Sequence, residues 1–164
     1  MNTIKNDGYN YRNAMERNIG LCSEFEQELL NHCVVGIAGV GAVGGNNLIT
    51  LARMGVGNFK IADLDIFEEV NLQRQAGAFI SSLLKSKVEV MKAMVKDINP
   101  NCNVSTYPEG ITEKSIDDFL TNVDVVLDCI DAFQITPRRL LYKKARERGK
   151  FVVFSAPKEY GATL

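Results

Sequence analysis

The sequence predicts a doubly wound α/β fold, a mostly parallel sheet with helices on both faces, and three observations carry that prediction. Short β-branched apolar runs alternate along the chain with amphipathic stretches at helical spacing. A glycine-rich turn, Gly39-Val40-Gly41-Ala42-Val43-Gly44, joins the first long pair of them. The 164 residues, 46% hydrophobic and 24% charged, match one globular domain of about 150 residues and exclude disordered, collagen-like and disulfide-scaffold classes.

Taken in order, residues 1–22 form a polar N-terminal arm, whose first residues lack the apolar stretch of a signal peptide, and residues 23–164 form the α/β domain. Ser23-Glu24-Phe25-Glu26 is a capping box, with serine at the N-cap and glutamate three residues on, so a short helix runs to about Asn31. Val34 to Ala38 is the first buried strand, and glycines end it. Val43, Leu48, Leu51, Ala52 and Met54 fall near helical spacing, and Gly55 stops that helix. Phe59 to Ala62 is a second strand ending at Asp63. Beyond it lie a helix over Lys87 to Ile98, a strand over Asn103 to Thr106 and a threonine-capped helix over Thr112 to Leu120. Val123 to Leu127 is a buried strand, Arg138 to Arg148 a basic amphipathic helix and Phe151 to Phe154 the last strand, completing a Rossmann-like alternation with right-handed crossovers. Cys33 to Ala52 is uncharged and as long as a bilayer span, but its five glycines and Asn46-Asn47 suit a turn, so no membrane partner is expected.

Nineteen Lys and Arg against twenty Asp and Glu leave a net charge of −1, so there is no global field for nucleic acid and any phosphate binding is local. The four cysteines show no C-x-x-C spacing; no zinc site is expected, and reduced thiols fit a cytoplasmic protein. The glycine motif between strand and helix lets phosphate approach backbone N–H groups at a helix N-terminus, or else only packs helix on strand. A P-loop is excluded because Gly45-Asn46 stands where Lys-Ser/Thr is needed. Asp63, nineteen residues past Gly44 at a strand end, can accept hydrogen bonds from ribose hydroxyls, while Asp65 is equally a surface or a functional carboxylate.

The irregular stretch from Leu64 to Leu84 is long enough to be functional. It places Asn71, Arg74 and Gln75 ahead of Lys85 and Lys87, a polar and cationic set that suits a triphosphate better than a nicotinamide. Asp128 and Asp131 follow the fourth strand; Asp131 is a candidate Mg2+ ligand, whereas Asp128 is expected to brace a loop. His32 is expected to end a helix rather than act as a base.

The ordered series RNIG (Arg17 to Gly20), GVGAVG (Gly39 to Gly44), DLDIFEEVNLQRQ (Asp63 to Gln75), SKVE around Lys87, INP (Ile98 to Pro100) and DCID (Asp128 to Asp131) resembles the ThiF/MoeB-like adenylyltransferases, relatives of ubiquitin-activating enzymes. NLQRQAGA and Arg138-Arg139 look like a divergent bacterial branch, some of whose members are fused to nitroreductase-like domains. The resemblance implies a homodimer that uses ATP and Mg2+ to adenylate the C-terminal carboxylate of a small ubiquitin-like or sulfur-carrier protein or peptide. It also implies that Gly39, Gly41, Ala42 and Gly44 line the nucleotide and Asp63 and Asp65 stand at the ribose side. Asn71, Arg74, Gln75 and Lys87 hold phosphates, Asp131 binds Mg2+ and Arg17 reaches the partner subunit's site. Arg17, Arg74, Lys87 and Asp131 are the expected catalytic set. Ala42 and Leu84 replace glycines of the family pattern, and Ala132 an asparagine. The chain stops at Leu164, before the region where relatives carry a cysteine loop and zinc pairs, and reads as a domain fragment. An NAD-dependent oxidoreductase and a non-catalytic nucleotide-binding or dimerisation domain are the competing readings.

Overall fold

In the computed structural model, which describes residues 8–154 and the backbone of 156–158 and 161–163, the apolar runs align as one parallel sheet. Its strands are β1 (Val34–Ala38), β2 (Asn58–Ala62), β3 (Asn103–Tyr107), β4 (Val125–Asp128) and β5 (Phe151–Phe154), in the order β3-β2-β1-β4-β5. Register is fixed across the centre by Ile37 opposite Ile61 on one side and Leu127 on the other. The helices are α1 (Tyr11–Met15), α2 (Glu24–His32), α3 (Ala42–Arg53), α4 (Lys87–Ile98), α5 (Ile116–Leu120) and α6 (Ile135–Glu147).

Side chains alternate across the strands, so the sheet has two cores. On one face Val35, Ile37, Phe59 and Ile61 pack under Leu48 and Ala52 of α3 and Met91 and Val95 of α4. On the other, Ala38, Ala62 and Val126 meet Phe119 of α5 and Leu141 of α6. Gly36 belongs to this second face: a Cβ there would stand 3.2 Å from the Phe119 ring. Chain progression reverses between β1 and β4, which makes their carboxyl ends the place where ligands bind in such sheets.

Most elements form where the sequence places them, including the capping box, in which the Ser23 hydroxyl accepts the Glu26 amide at 3.2 Å and Glu26 accepts the Ser23 amide at 2.8 Å. The helix expected from Thr112 forms only from Ile116. Thr112 and Ser115 instead exchange backbone-to-hydroxyl hydrogen bonds of 2.9 and 3.2 Å, the local competition through which such residues delay a helix. In α6 the helix begins three residues before Arg138, because Pro137 falls in the first turn, where no amide partner is lost. The antiparallel pair β6 (Ala156–Lys158) and β7 (Gly161–Thr163) has no counterpart among the sequence expectations. The uncharged stretch from Cys33 to Ala52 is β1, a turn and most of α3; no helix among the described residues is long and apolar enough to cross a membrane.

The described part of the arm docks at the amino edge of the sheet. Tyr11 Oη donates to the Gly55 carbonyl at 2.7 Å, and Asn18 and Gln27 both donate to the Met54 carbonyl, at 3.2 and 3.0 Å. Gly55 has a φ of +96°, and a Cβ there would run into the Gln27 and Tyr11 side chains.

Candidate functional site

At the carboxyl edge the chain leaves β1 through Gly39, whose φ of +90° requires glycine and whose missing Cβ leaves room for the Cys129 carbonyl. Gly44 presses against the Gly39 carbonyl, so both residues serve helix-on-strand packing. Gly41 is different. A Cβ there would make only ordinary contact with the Gln75 amide at 3.6 Å, and Gly41 is the N-cap of α3 with no side chain capping the helix. First-turn amides without a side-chain cap, at the positive end of a twelve-residue helix, form an anion-binding surface. Gln75 is buried beside it, and its Oε1 has no hydrogen-bond partner. A buried orphan of this kind marks a place for a ligand or water, and a flip of the amide presents the donor end instead.

Asp63 follows β2 directly. Its Oδ2 accepts the Val40 amide at 2.8 Å and its Oδ1 the Asp65 amide at 2.9 Å. The sequence-predicted ribose ligand is thereby also the brace of the glycine turn, and each oxygen keeps a lone pair. Burial pushes its carboxyl above the usual aspartate range, against the opposing hydrogen bonds from Asp65 and Val40. Asp65 does not stand free, since its Oδ2 accepts from Lys87 Nζ at 3.0 Å. The Lys87 side chain is 7% exposed against 58% for Asp65, which leaves a sunken ammonium with spare donor capacity next to an open carboxylate. The 64–84 segment closes at its neck by the Ile66–Ser86 bridge and by the Lys87 amide donating to the Asp65 carbonyl at 3.0 Å.

Within that segment Asn71 is buried and accepts the Glu68 amide at 2.9 Å, so it builds the turn that presents Arg74. Arg74 is exposed; its guanidinium donates to the Val70 carbonyl at 3.0 Å and has no carboxylate partner among the described residues. Leu84 has a φ of +64°, in the left-handed region that favours glycine, which explains why a glycine suits the position three residues before Lys87.

Asp128, the last residue of β4, is fully buried, accepts the Ile130 amide at 3.1 Å and pairs with Arg138 Nε at 2.8 Å. Asp128 therefore braces its loop, as the sequence reading has it. Arg138 also donates to the carbonyls of Ile130 and Ala132 and lies over the Phe154 ring, 5.2 Å from its centroid. Sequence reasoning counted Arg138 as part of a basic helix and, with Arg139, as a mark of a divergent branch, but gave it no role in the site; the ten-residue spacing to Asp128 carries no recognisable signal. Asp131 is exposed, with Oδ1 accepting the Phe133 amide at 3.0 Å and no protein donor to Oδ2 among the described residues. Those residues contain no group of three or more acidic, His or Cys side chains able to cage a metal. One open carboxylate fits Mg2+ only in the mode in which phosphate oxygens and water complete the shell.

Arg17 is the exception to this convergence. It precedes Asn18, which is bonded to Met54 at the far end of α3, so a twelve-residue helix, about 18 Å long at 1.5 Å per residue, separates it from the glycine turn of its own chain. A groove of about 490 Å³ near this edge, between α1 and the ends of α3 and α4, contains Arg53 and Asp97 and none of the predicted site residues. His32 is exposed at the end of α2. Burial pushes the Cys129 thiol, beside Asn47, up to about 11, and does the same to Cys102, so neither is a ready thiolate.

The candidate site thus lies at the carboxyl ends of β1, β2 and β4 of a doubly wound sheet, the edge where α/β proteins of this class bind their ligands. The sequence profile of the ThiF family matches residues 15–163, and the chain belongs to that family. It is 34% identical over 116 residues to the adenylyltransferase and sulfurtransferase UBA4 of Meyerozyma guilliermondii, covering 68% of this chain and 27% of that protein. It is 37% identical over 105 residues to the tRNA threonylcarbamoyladenosine dehydratase of Bacillus subtilis, covering 63% and 41%. Against the molybdopterin-synthase adenylyltransferase of Haemophilus influenzae it is 35% identical over 109 residues, covering 66% and 45%. The chain thus spans less than half the length of these curated relatives. In three dimensions it resembles the E. coli tRNA N6-threonylcarbamoyladenosine dehydratase solved with ATP, with a TM-score of 0.82 and 26% identity over 87% of this chain and 58% of that one.

Proposed function

We propose that this domain binds ATP at the carboxyl ends of β1, β2 and β4 and transfers its adenylyl group to a carboxylate, as an ATP-dependent adenylyltransferase. The observation that carries the reading is the pairing of the uncapped α3 N-terminus at Gly41 with the orphan Gln75 amide and the sunken Lys87 ammonium. Relatives named as adenylyltransferases, and a related structure solved with ATP, support it. A carboxylate with a pKa near ~3.5 is ionised at neutral pH, so it attacks the α-phosphorus without a base. Its oxygen forms the new P–O bond, the bond from the α-phosphorus to the bridging oxygen breaks, and pyrophosphate leaves with the electron pair.

The task of the side chains is to neutralise and position charge. Lys87, Arg74, Asn71 and Gln75 hold phosphates, Asp63 and Asp65 flank the ribose, and Gly41 and Ala42 face the nucleotide on a turn that Gly39 and Gly44 pack into shape. Asp131 holds Mg2+, which when bound shields the phosphates from the incoming anion. Arg17, distant from its own chain's glycine turn, serves the site of a second copy in a homodimer. We place the protein in the cytoplasm, where its free cysteines remain thiols.

The acceptor we favour is the C-terminal carboxylate of a small ubiquitin-like or sulfur-carrier protein or peptide, in keeping with relatives named adenylyltransferase. Relatives named tRNA threonylcarbamoyladenosine dehydratases support a second reading, since the threonyl group in that name also bears a carboxylate. Calorimetry tests the shared core: ATP with Mg2+ binds more tightly than NAD, and Lys87→Ala or Arg74→Ala each weakens it about tenfold or more, as loss of a hydrogen bond to a charged group requires. Tight NAD binding indifferent to both substitutions rejects it in favour of an oxidoreductase. Acceptor-dependent ATP–pyrophosphate exchange with each acceptor class separates the two readings.

A further inference from the structure

Arg138 gathers four groups, three from the end of β4 and the loop that leaves it and one from the end of β5. Its Nε meets buried Asp128 at 2.8 Å, its terminal nitrogens reach the carbonyls of Ile130 and Ala132, and its guanidinium covers the Phe154 ring. The two carbonyls flank Asp131, the one residue between them, and the next amide but one, that of Phe133, is bonded to Asp131 Oδ1. The loop is therefore fixed from below by a planar fork anchored in α6 and in the sheet, while the Asp131 side chain stays exposed above it. A lysine, with a compact ammonium, could satisfy Asp128 but could not span both carbonyls and stack on the ring.

We propose that Arg138 is a positioning residue: it sets the 130–132 backbone so that Asp131 presents its free carboxylate oxygen to the magnesium of a bound nucleotide. The assignment rests on the adenylyltransferase reading of the site, and Arg138 itself touches neither nucleotide nor metal. Removing groups that orient a metal ligand costs typically ~10- to 100-fold in metal affinity or activity, and the low end applies here because one carboxylate carries the contact.

The test is calorimetric titration of ATP, with and without Mg2+, into wild type, Asp131→Ala and Arg138→Lys, together with amide hydrogen exchange of residues 130–133. Arg138→Lys is expected to leave metal-free ATP binding unchanged, to lower the affinity gained from Mg2+ about tenfold, and to speed exchange in 130–133 but not in β1. Asp131→Ala removes the same Mg2+ gain and, among the 130–133 amides, frees only that of Phe133, which Asp131 Oδ1 accepts. If the lysine variant is too unstable to titrate, the pair Asp128→Asn with Arg138→Gln keeps neutral partners buried and predicts the same loss. An unchanged Mg2+ gain overturns the proposal, as does an equal loss with and without Mg2+, which marks general structural damage. A wild type whose ATP binding ignores Asp131→Ala overturns the metal role and this proposal with it. A wild type that binds no ATP overturns the functional reading itself.

Discussion

Asp63 holds the amide of Val40 at 2.8 Å, so the end of β2 and the turn after β1 move as one piece. The bond belongs to a relay in which Lys87 meets Asp65, the Asp65 amide meets Asp63, and Asp63 meets the glycine turn. Burial raises the Asp63 carboxyl above the ordinary aspartate value, so over the interval between the two values the folded chain keeps a proton that the unfolded chain has released. The stability this residue contributes is full below the unfolded value and is lost as pH rises through the folded one. Urea denaturation from about pH 4 to about pH 7 is expected to show that slope in wild type and a flatter one in Asp63→Asn.

Leu84 occupies a left-handed backbone conformation and the residue is 79% exposed. Leu84→Gly relieves that strain while losing little packing, and a gain of about 1 kcal/mol is expected from denaturant melts, net of the glycine's extra freedom when unfolded. Leu84→Ala retains a Cβ in the same conformation and is expected to gain nothing.

The glycines of the turn separate by substitution. In Gly44→Ala the new Cβ meets the backbone carbonyl of Gly39, which cannot rotate away, and a loss of about 1–3 kcal/mol in stability is expected. Gly41→Ala meets only the end of Gln75 and is expected to melt like wild type while binding ATP more weakly. Melting curves and calorimetry on the two proteins distinguish a packing glycine from a ligand-facing one.

Arg17 acts on the neighbouring copy in our reading, which mixing of defective chains can check. A dimer of one Arg17→Ala chain and one Asp131→Ala chain contains one site in which both residues are intact. Acceptor-dependent ATP–pyrophosphate exchange, absent from each parent, is expected to return on subunit exchange. No recovery in verified heterodimers, beside an active wild type, rejects the trans role.

Much of the architecture was legible because burial imposes a period. Val34–Ala38 and Phe151–Phe154 read as strands, and Lys87–Ile98 as a helix, from apolar spacing and flanking residues alone. Where hydroxyls compete for backbone groups, as at Thr112 and Ser115, the helix start moved inward. Gly39, Gly41, Asp63, Gln75 and Lys87 were visible by motif and spacing, but their division of labour was not. That Gly39 and Gly44 pack while Gly41 faces outward depends on which atoms oppose each missing Cβ. The role of Arg138 was not legible, because its partners are brought together by the β4–α6–β5 crossover and not by a spacing that carries a signal.

If, as we propose, the domain makes an acyl-adenylate, the sunken position of Lys87 has a chemical corollary. Such a mixed anhydride acylates free amines, and an unguarded lysine beside it would be consumed by the product of its own site. Lys87 is 7% exposed and its nitrogen donates to Asp65 at 3.0 Å. Held at Asp65 and shielded by its neighbours, the nitrogen is not free to swing toward an acyl carbon, so the contact that readies this residue for phosphate also spares it from self-modification. Asp65→Ala chains incubated with ATP and acceptor should accumulate an acylated Lys87 that wild type lacks, and peptide mass mapping would register it.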